Sequence, residues 1–515
     1  MGKESRTHKS LINAKVNLVF YLLTLFTTFF SRKIFLDYLG ADFVGLTGTL
    51  QNILGLLNLA ELGVGAAVSF ALYQPIAHGQ REEINRIVSL LGCIYRYIGL
   101  FVLGAAVLVG LFLPFIFRQT VFELGLVYFA FGSFLTSSLI GYFVNYRQIL
   151  LTADQKNYII ISRLQTTNII KAAVQMVLVW QLANLYLWVA IELVFGLLYA
   201  VILNRKIQQE YPWLSATARQ GQPLLNQYPD ITRRTRQVFV HKLKDFLLSQ
   251  SDQILVFAFV SLKMVAYYGN YAMVVSRLTL LFNTMMDGIT AGVGNLIAEG
   301  NKEKIYKVFW EMVFVRYAIA GIVVFALYHG IQPFICLWLG KEYLLSHTIL
   351  LLLMVNTFIM LSRGAVDIFN AAYGNYHDTW SAWAEGAINI TVTIITCFIW
   401  GLPGVLLGKL ASILPIIVIW KPLFLYRTSF HQSMWHYWKN IALTLLGFII
   451  AFTLASRCAP YLPLNPYKDF GQWTGYCIIL TLIFVLLYMA SLLLLTPGAR
   501  LMAQRVLKSH SFRHS

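Results

Sequence analysis

AHGQREEINRIVS, from Ala77 to Ser89, and AEGNKEKIYKVFW, from Ala298 to Trp310, read as one connection written twice. Glycine falls on glycine (Gly79, Gly300) and Ile84 falls on Ile305. The same ungapped offset sets Val44-Gly45 on Val265-Ala266, and a small shift sets TADQKNY from Thr152 over AAYGNYH from Ala371. Apolar segments resemble one another by chance, whereas polar loops do not. The match in the loops therefore points to internal duplication, a common mark of secondary transporters.

What is duplicated is a set of membrane spans. Of the 515 residues, 58% are hydrophobic and only 12% charged, about half the charge of a soluble domain. So much apolar surface needs the bilayer as its solvent, and a helix crosses the hydrocarbon core with about 20 apolar residues. About 14 such runs are expected, near 13–38, 43–73, 87–113, 122–150, 159–181, 184–204, 238–261, 265–297, 308–331, 344–372, 380–400, 403–426, 440–457 and 473–495. The predicted fold is an all-α polytopic membrane protein.

Alternate connections differ in charge. Lys3, Arg6 and Lys9, then Arg81 and Arg86, Lys156, Arg205 and Lys206, Lys302 to Lys307, Lys421 and Arg427, and Arg500 to Arg513 form one set. The other set holds only scattered cations: Arg118, Lys263, Lys341 and Lys468. The positive-inside rule puts the first set, with both termini, in the cytoplasm, and it accounts for most of the net charge of +18 without nucleic-acid binding. The polar, proline-containing stretch 205–237 divides the chain. The expected organisation is an N-lobe over 1–204, a linker over 205–237, a C-lobe over 238–426, two further spans over 427–495 and a basic tail over 496–515. No small-residue cleavage site follows the first apolar run, which reads as an uncleaved span.

Enzyme signatures fail on spacing. Gly404 to Lys409 (GVLLGK) has P-loop residues at the wrong intervals and lies in a span, where GxxxG helix packing explains it better. The ten histidines lack metal-ligand spacing. The five cysteines (Cys93, Cys336, Cys397, Cys458 and Cys477) form no CxxC pair and read as small core residues. No catalytic residue, metal or cofactor is expected.

Ionisable residues inside a membrane are expensive and are functional candidates by default. They include Arg32, Lys33, Asp37, Glu61, Arg147, Arg163, Lys171 and Glu192, then Lys242, Lys244, Asp245, Asp252, Arg277, Asp287, Arg316, Arg363, Asp367, Glu385 and Lys409. Arg147, Lys242, Lys244 and Arg316 lie near a cytoplasmic face and are expected to snorkel or to form structural ion pairs; Asp37 pairs locally with Arg32 or Lys33. Arg277, Asp252, Arg363 and Glu385 lie deeper, where a water-filled cavity is expected. The excess of cations suits an anionic substrate, because a guanidinium forks onto phosphate oxygens.

Phe35 to Ala77, FLDYLGADFVGLTGTLQNILGLLNLAELGVGAAVSFALYQPIA, resembles the opening of the Wzx-type oligosaccharide flippases of the multidrug/oligosaccharidyl-lipid/polysaccharide (MOP) exporter superfamily. The shared features are Leu39-Gly40, Val44-Gly45-Leu46, with Val44 where an aromatic is usual, and Glu61 to Gly65. Ser251 to Leu278, SDQILVFAFVSLKMVAYYGNYAMVVSRL, carries a second likeness. The resemblance implies two six-helix lobes related by a pseudo-twofold axis, two extra C-terminal helices and a central cavity. It further implies movement of an undecaprenyl-diphosphate-type lipid-linked oligosaccharide between leaflets of a bacterial inner membrane, for surface polysaccharide synthesis. Membrane lipid, other glycan-export proteins and a coupling proton or sodium ion are the partners it allows. Its helices one and eight line the cleft, so Arg32, Lys33 and Arg277 are expected to contact the diphosphate. Asp252 would orient one of them, and Arg363 and Arg163 complete the substrate-binding set. Trp380, Trp383 and Tyr267–Tyr271 stack on sugars or serve as packing. A lipid II flippase, a drug or cation antiporter, and a membrane glycan polymerase or ligase remain rival readings.

Overall fold

The computed structural model describes residues 6–58, 64–118, 120–225, 227–228, 255–375, 378–496 and 498–502. Among these every regular element is helical, because only helices and closed barrels satisfy all backbone hydrogen bonds in lipid. The chain divides into two compact units, Met1–Ala266 and Tyr267–Ser515.

The first unit contains α1 (Arg6–Leu39), α2 (Ala41–Leu57), α3 (Val64–His78), α4 (Arg81–Ile116), α5 (Leu124–Phe143), a short α6 (Ile149–Ala153), α7 (Asn157–Leu182), α8 (Leu185–Glu210) and a single turn, α9 (Ala218–Gly221). The second holds α10 (Leu262–Ala298), whose first turn belongs to the first unit, then α11 (Lys302–Trp338), α12 (His347–Ser362), α13 (Gly364–Ala372), α14 (Thr379–Trp400), α15 (Leu402–Ile413), α16 (Lys421–Leu425), α17 (Met434–Cys458) and α18 (Phe470–Leu495). Between α15 and α17 the backbone widens into π-helical turns at Leu414–Trp420 and Tyr426–Phe430. Pro415 and Pro422 remove amide donors there.

Ten helices among the described residues are long and apolar enough to cross a membrane, so the protein is a multi-pass membrane protein. The expected second span is divided between α2 and α3, and most of the seventh lies outside the described residues. Helices α7 and α10 are long enough but too polar to count with the ten. Polar side chains are tolerated at membrane depth when they face protein or a wet cavity. Helix α4 has 36 residues and is about 54 Å long at 1.5 Å per residue, so it projects beyond a core about 30 Å thick.

The duplication is visible in the backbone. Gly79 and Gly300 both adopt positive φ, 68° and 75°, which glycine allows without a Cβ clash. Each ends one long helix and permits the next, α4 after Gly79 and α11 after Gly300. The offset from the start of α2 to the start of α10 equals that from α4 to α11.

Polar residues gather where α1 begins. The Asn13 amide donates to the Gln155 carbonyl at 2.8 Å and accepts from the Tyr158 amide at 2.7 Å, tying α1 to the start of α7. Lys156 bridges Asp154 at 3.2 Å and Glu210 at 3.3 Å. Residues 205–210 of the expected linker simply extend α8. Residues 211–225 and 227–228 fold back as a strap on the first unit. The Ser215 amide donates to Asn85 Oδ1 at 2.9 Å and the Thr217 amide to Ser89 Oγ at 3.2 Å. Tyr146 (3.2 Å) and Arg147 (2.7 Å) both donate to the Ala216 carbonyl, so Arg147 holds the strap instead of reaching for lipid headgroups. Gly221 packs directly on the Ser89 carbonyl, where no side chain fits.

Candidate functional site

Helix α7 carries a polar residue every fourth position: Arg163, Thr167, Lys171 and Gln175. That spacing sets all four on one helix face. Lys171 Nζ lies 2.8 Å from Glu192 Oε2 on α8, with the two side chains 20% and 16% exposed. The Gln175 amide, 1% exposed, donates to Glu192 Oε1 at 3.0 Å and to the Trp188 carbonyl at 3.2 Å. Both carboxylate oxygens of Glu192 therefore have protein partners. Trp188 packs edge-on against Phe35 at 5.7 Å and Phe43 at 5.5 Å, joining this cluster to α1 and α2. Lys171 lies 14 residues along α7, about 21 Å from its start, well inside a bilayer. An incompletely buried ion pair at that depth needs a wet or polar space beside it. Arg163, closer to the helix start, is exposed and has no ion-pair partner among the described residues.

Helix α14 has a similar stripe with different chemistry. Ser381, Glu385, Asn389 and Thr393 again recur every fourth residue, and their exposures are 0, 2, 1 and 1%. Neither amide atom of Asn389 and not the Thr393 hydroxyl finds a hydrogen-bond partner among the described residues. The stripe is packed tightly by α15: a side chain at Gly408 would strike Thr393, and one at Gly404 would strike the Thr396–Cys397 backbone. The GxxxG segment is thus a helix-packing surface. At the start of α14, Asp378 accepts from Lys421 at 2.8 Å and from the Trp420 indole at 3.2 Å.

The residues singled out from sequence fall in several settings. Arg32 donates to the Ala266 carbonyl at 3.1 Å within the first unit. Lys33 pairs with Asp37 at 3.3 Å, an i,i+4 pair with both side chains more than 40% exposed. Arg363 pairs with Asp367 at 3.2 Å. Arg277 is part-buried on α10. Arg32, Lys33 and Arg163 belong to the first unit; Arg277 and Arg363 belong to the second. Asp252 lies outside the described residues, as do Glu61, Lys242, Lys244 and Asp245, and so does the side chain of Asp287.

Arg316 is held within the protein and does not snorkel. It is only 7% exposed and donates to Asn283 Oδ1 at 3.0 Å. The absence of a side chain at Gly364 makes room for its guanidinium. Tyr268 and Tyr271 are buried, and the Tyr271 hydroxyl accepts from the Leu345 amide at 3.2 Å. Trp380 and Trp383 are more than half exposed. Gln175, Asn389 and Thr393 were not reached by a search for charge. Their signal is spacing: each sits four residues from Lys171, Glu385 or another member of its stripe.

No protein-family model matches the chain, and no curated protein matches it in sequence. Solved structures do match. The fold is similar to that of solved membrane transporters. A lipid II flippase, MurJ, in an inward closed conformation superposes with a TM-score of 0.65 at 16% identity, over 93% of this chain and 98% of that one. A multidrug resistance MATE transporter of the MOP superfamily, in an inward-facing conformation, gives 0.54 at 16% identity, over 78% and 96%. At this identity the likeness establishes architecture. Substrate must be argued from the residues.

Proposed function

We propose that the protein is a flippase that carries a polyprenyl-diphosphate-linked oligosaccharide from the cytoplasmic to the periplasmic leaflet, for surface polysaccharide synthesis. The observation that carries this reading is the Lys171–Glu192–Gln175 cluster, a part-exposed charged group well inside the bilayer in a MOP-type fold. The lipid tail stays in the bilayer while the charged headgroup crosses through polar space. Arg32, Arg163 and Lys171 are the cations that the first unit offers to the diphosphate. Lys171 exchanges Glu192 for phosphate oxygens as the headgroup passes. The basic end of the first unit faces the cytoplasm, as do both termini. A negative-inside potential favours outward movement of an anion by about 2.3 kcal/mol per charge per 100 mV.

The α14 stripe supplies the coupling. Glu385, Asn389 and Thr393 place hard oxygen donors on one buried face, the donor chemistry that a sodium ion takes, and Glu385 alone is enough for a proton. Lipid II is the second reading, favoured by the extent of the superposition on the lipid II flippase. Vesicles holding the purified protein and either a fluorescent polyprenyl-diphosphate oligosaccharide or fluorescent lipid II separate the two. The proposal expects faster flipping of the first than of the second. The reverse order overturns the assignment of substrate.

A further inference from the structure

A cavity of about 770 Å³ opens at the basic end of the first unit, between the end of α3, the start of α4 and the end of the strap. Its size falls in the range of small-molecule sites. Its charges cancel: Arg81 and Arg86 face Glu82 and Glu83. A diphosphate gains little in such a place, whereas a neutral ligand rich in hydrogen-bonding groups gains more.

Several polar side chains in the wall, those of Gln74, Gln80, Gln227 and Glu82, have no hydrogen-bond partner among the described residues. Each amide offers two donors and an acceptor, the pairing that hydroxyl groups need. Pro75 lies inside α3 and has no amide hydrogen, so the carbonyl of Ala71, also in the wall, lacks its helical partner. Two aromatic rings complete the wall. Phe70 is 55% exposed. Tyr228 is fixed by donating to Glu83 Oε1 at 2.6 Å. Burial and the Glu83 carboxylate push its hydroxyl up to about 12, so it remains a donor at any physiological pH.

We infer that this cavity is a saccharide-binding vestibule. The Phe70 and Tyr228 rings take the apolar face of a sugar, and the free amides and Glu82 take its hydroxyls. The strap is then part of the site, because it supplies Gln227 and Tyr228. The identity of the sugar as the headgroup of the transported lipid, and the cytoplasmic position of the cavity, rest on the flippase reading.

The test is saturation-transfer difference NMR on the full-length protein in detergent, with chitotriose and maltotriose as probes and pyrophosphate as competitor. The expected result is transfer to ring protons of at least one trisaccharide, undiminished by pyrophosphate. It should fall at least fivefold in Ala71→Trp, which fills the cavity. The double variant Gln74→Ala/Gln80→Ala, which removes two amides and leaves both rings in place, should lower it at least threefold. No transfer to either sugar, displacement by pyrophosphate, or full transfer in a folded double variant overturns the vestibule. Flipping of the lipid-linked glycan without sugar transfer sinks the vestibule alone. Sugar transfer without any flipping sinks the flippase reading and leaves the vestibule standing.

Discussion

The polar stripes of α7 and α14 occupy corresponding spans of the two duplicated halves and share a four-residue spacing, a threonine and an amide, yet they differ in charge and exposure. The α7 stripe is cationic, and its central lysine is part-exposed and fully engaged by Glu192. The α14 stripe has one carboxylate and neutral oxygens, is sealed from outside, and leaves the Asn389 amide without a partner among the described residues. Duplication kept the geometry and released the chemistry. On the proposed reading, one half handles an anion and the other offers a buried place suited to a small cation.

The largest effect is expected from Lys171→Ala. It strands Glu192 with the Gln175 amide alone. Breaking a fully buried pair costs about 3–5 kcal/mol, and part exposure brings the expectation to about 2 kcal/mol. Flipping should fall more than tenfold. The exchange Lys171→Glu with Glu192→Lys should restore the melting temperature but not transport. Restored transport would make the pair purely structural and remove half of the contrast.

Glu385→Gln keeps shape and removes charge. Flipping by this variant should lose its response to an imposed proton or sodium gradient, with little change in thermal stability. A gradient response that survives would take coupling away from α14. Asn389→Leu sharpens the point, because it replaces an amide with no partner among the described residues by an apolar side chain of the same branching. An orphan buried polar group costs about 1–3 kcal/mol, so the variant should melt higher while transporting less. A more stable and fully active variant would mean that Asn389 has no function. Gly408→Ala, which presses on Thr393, should destabilise by about 1–3 kcal/mol. The smallest change belongs to Lys33→Ala, whose exposed pair with Asp37 contributes at most about 1 kcal/mol. Its flipping rate should drop less than twofold, well short of the loss in Arg32→Ala.

Much of the fold was legible from composition and from two loops. Apolar run length gave the membrane class, and Gly79 over Gly300 gave the repeat that the backbone shows. The strap was not legible: residues 211–228 are polar and proline-containing, as a linker is, and only Asn85, Ser89 and Ala216 reveal where they dock. The candidate site was partly legible. A search for charge found Lys171, Glu192 and Glu385. It missed Gln175, Asn389 and Thr393, because these side chains carry no charge. For Arg316 it left snorkelling and a structural pairing both open, since sequence does not show that Gly364 opens room for a buried guanidinium.

The most direct test is a flipping assay in vesicles. Purified wild type and Lys171→Ala are reconstituted at equal amounts with a fluorescent polyprenyl-diphosphate oligosaccharide, and dithionite quenching reports the leaflet. Wild type should move the lipid well above protein-free vesicles, and Lys171→Ala should approach their rate while keeping its fold. Wild-type vesicles that match protein-free ones, or a folded Lys171→Ala as fast as wild type, would contradict a cationic path for a glycolipid through the first unit.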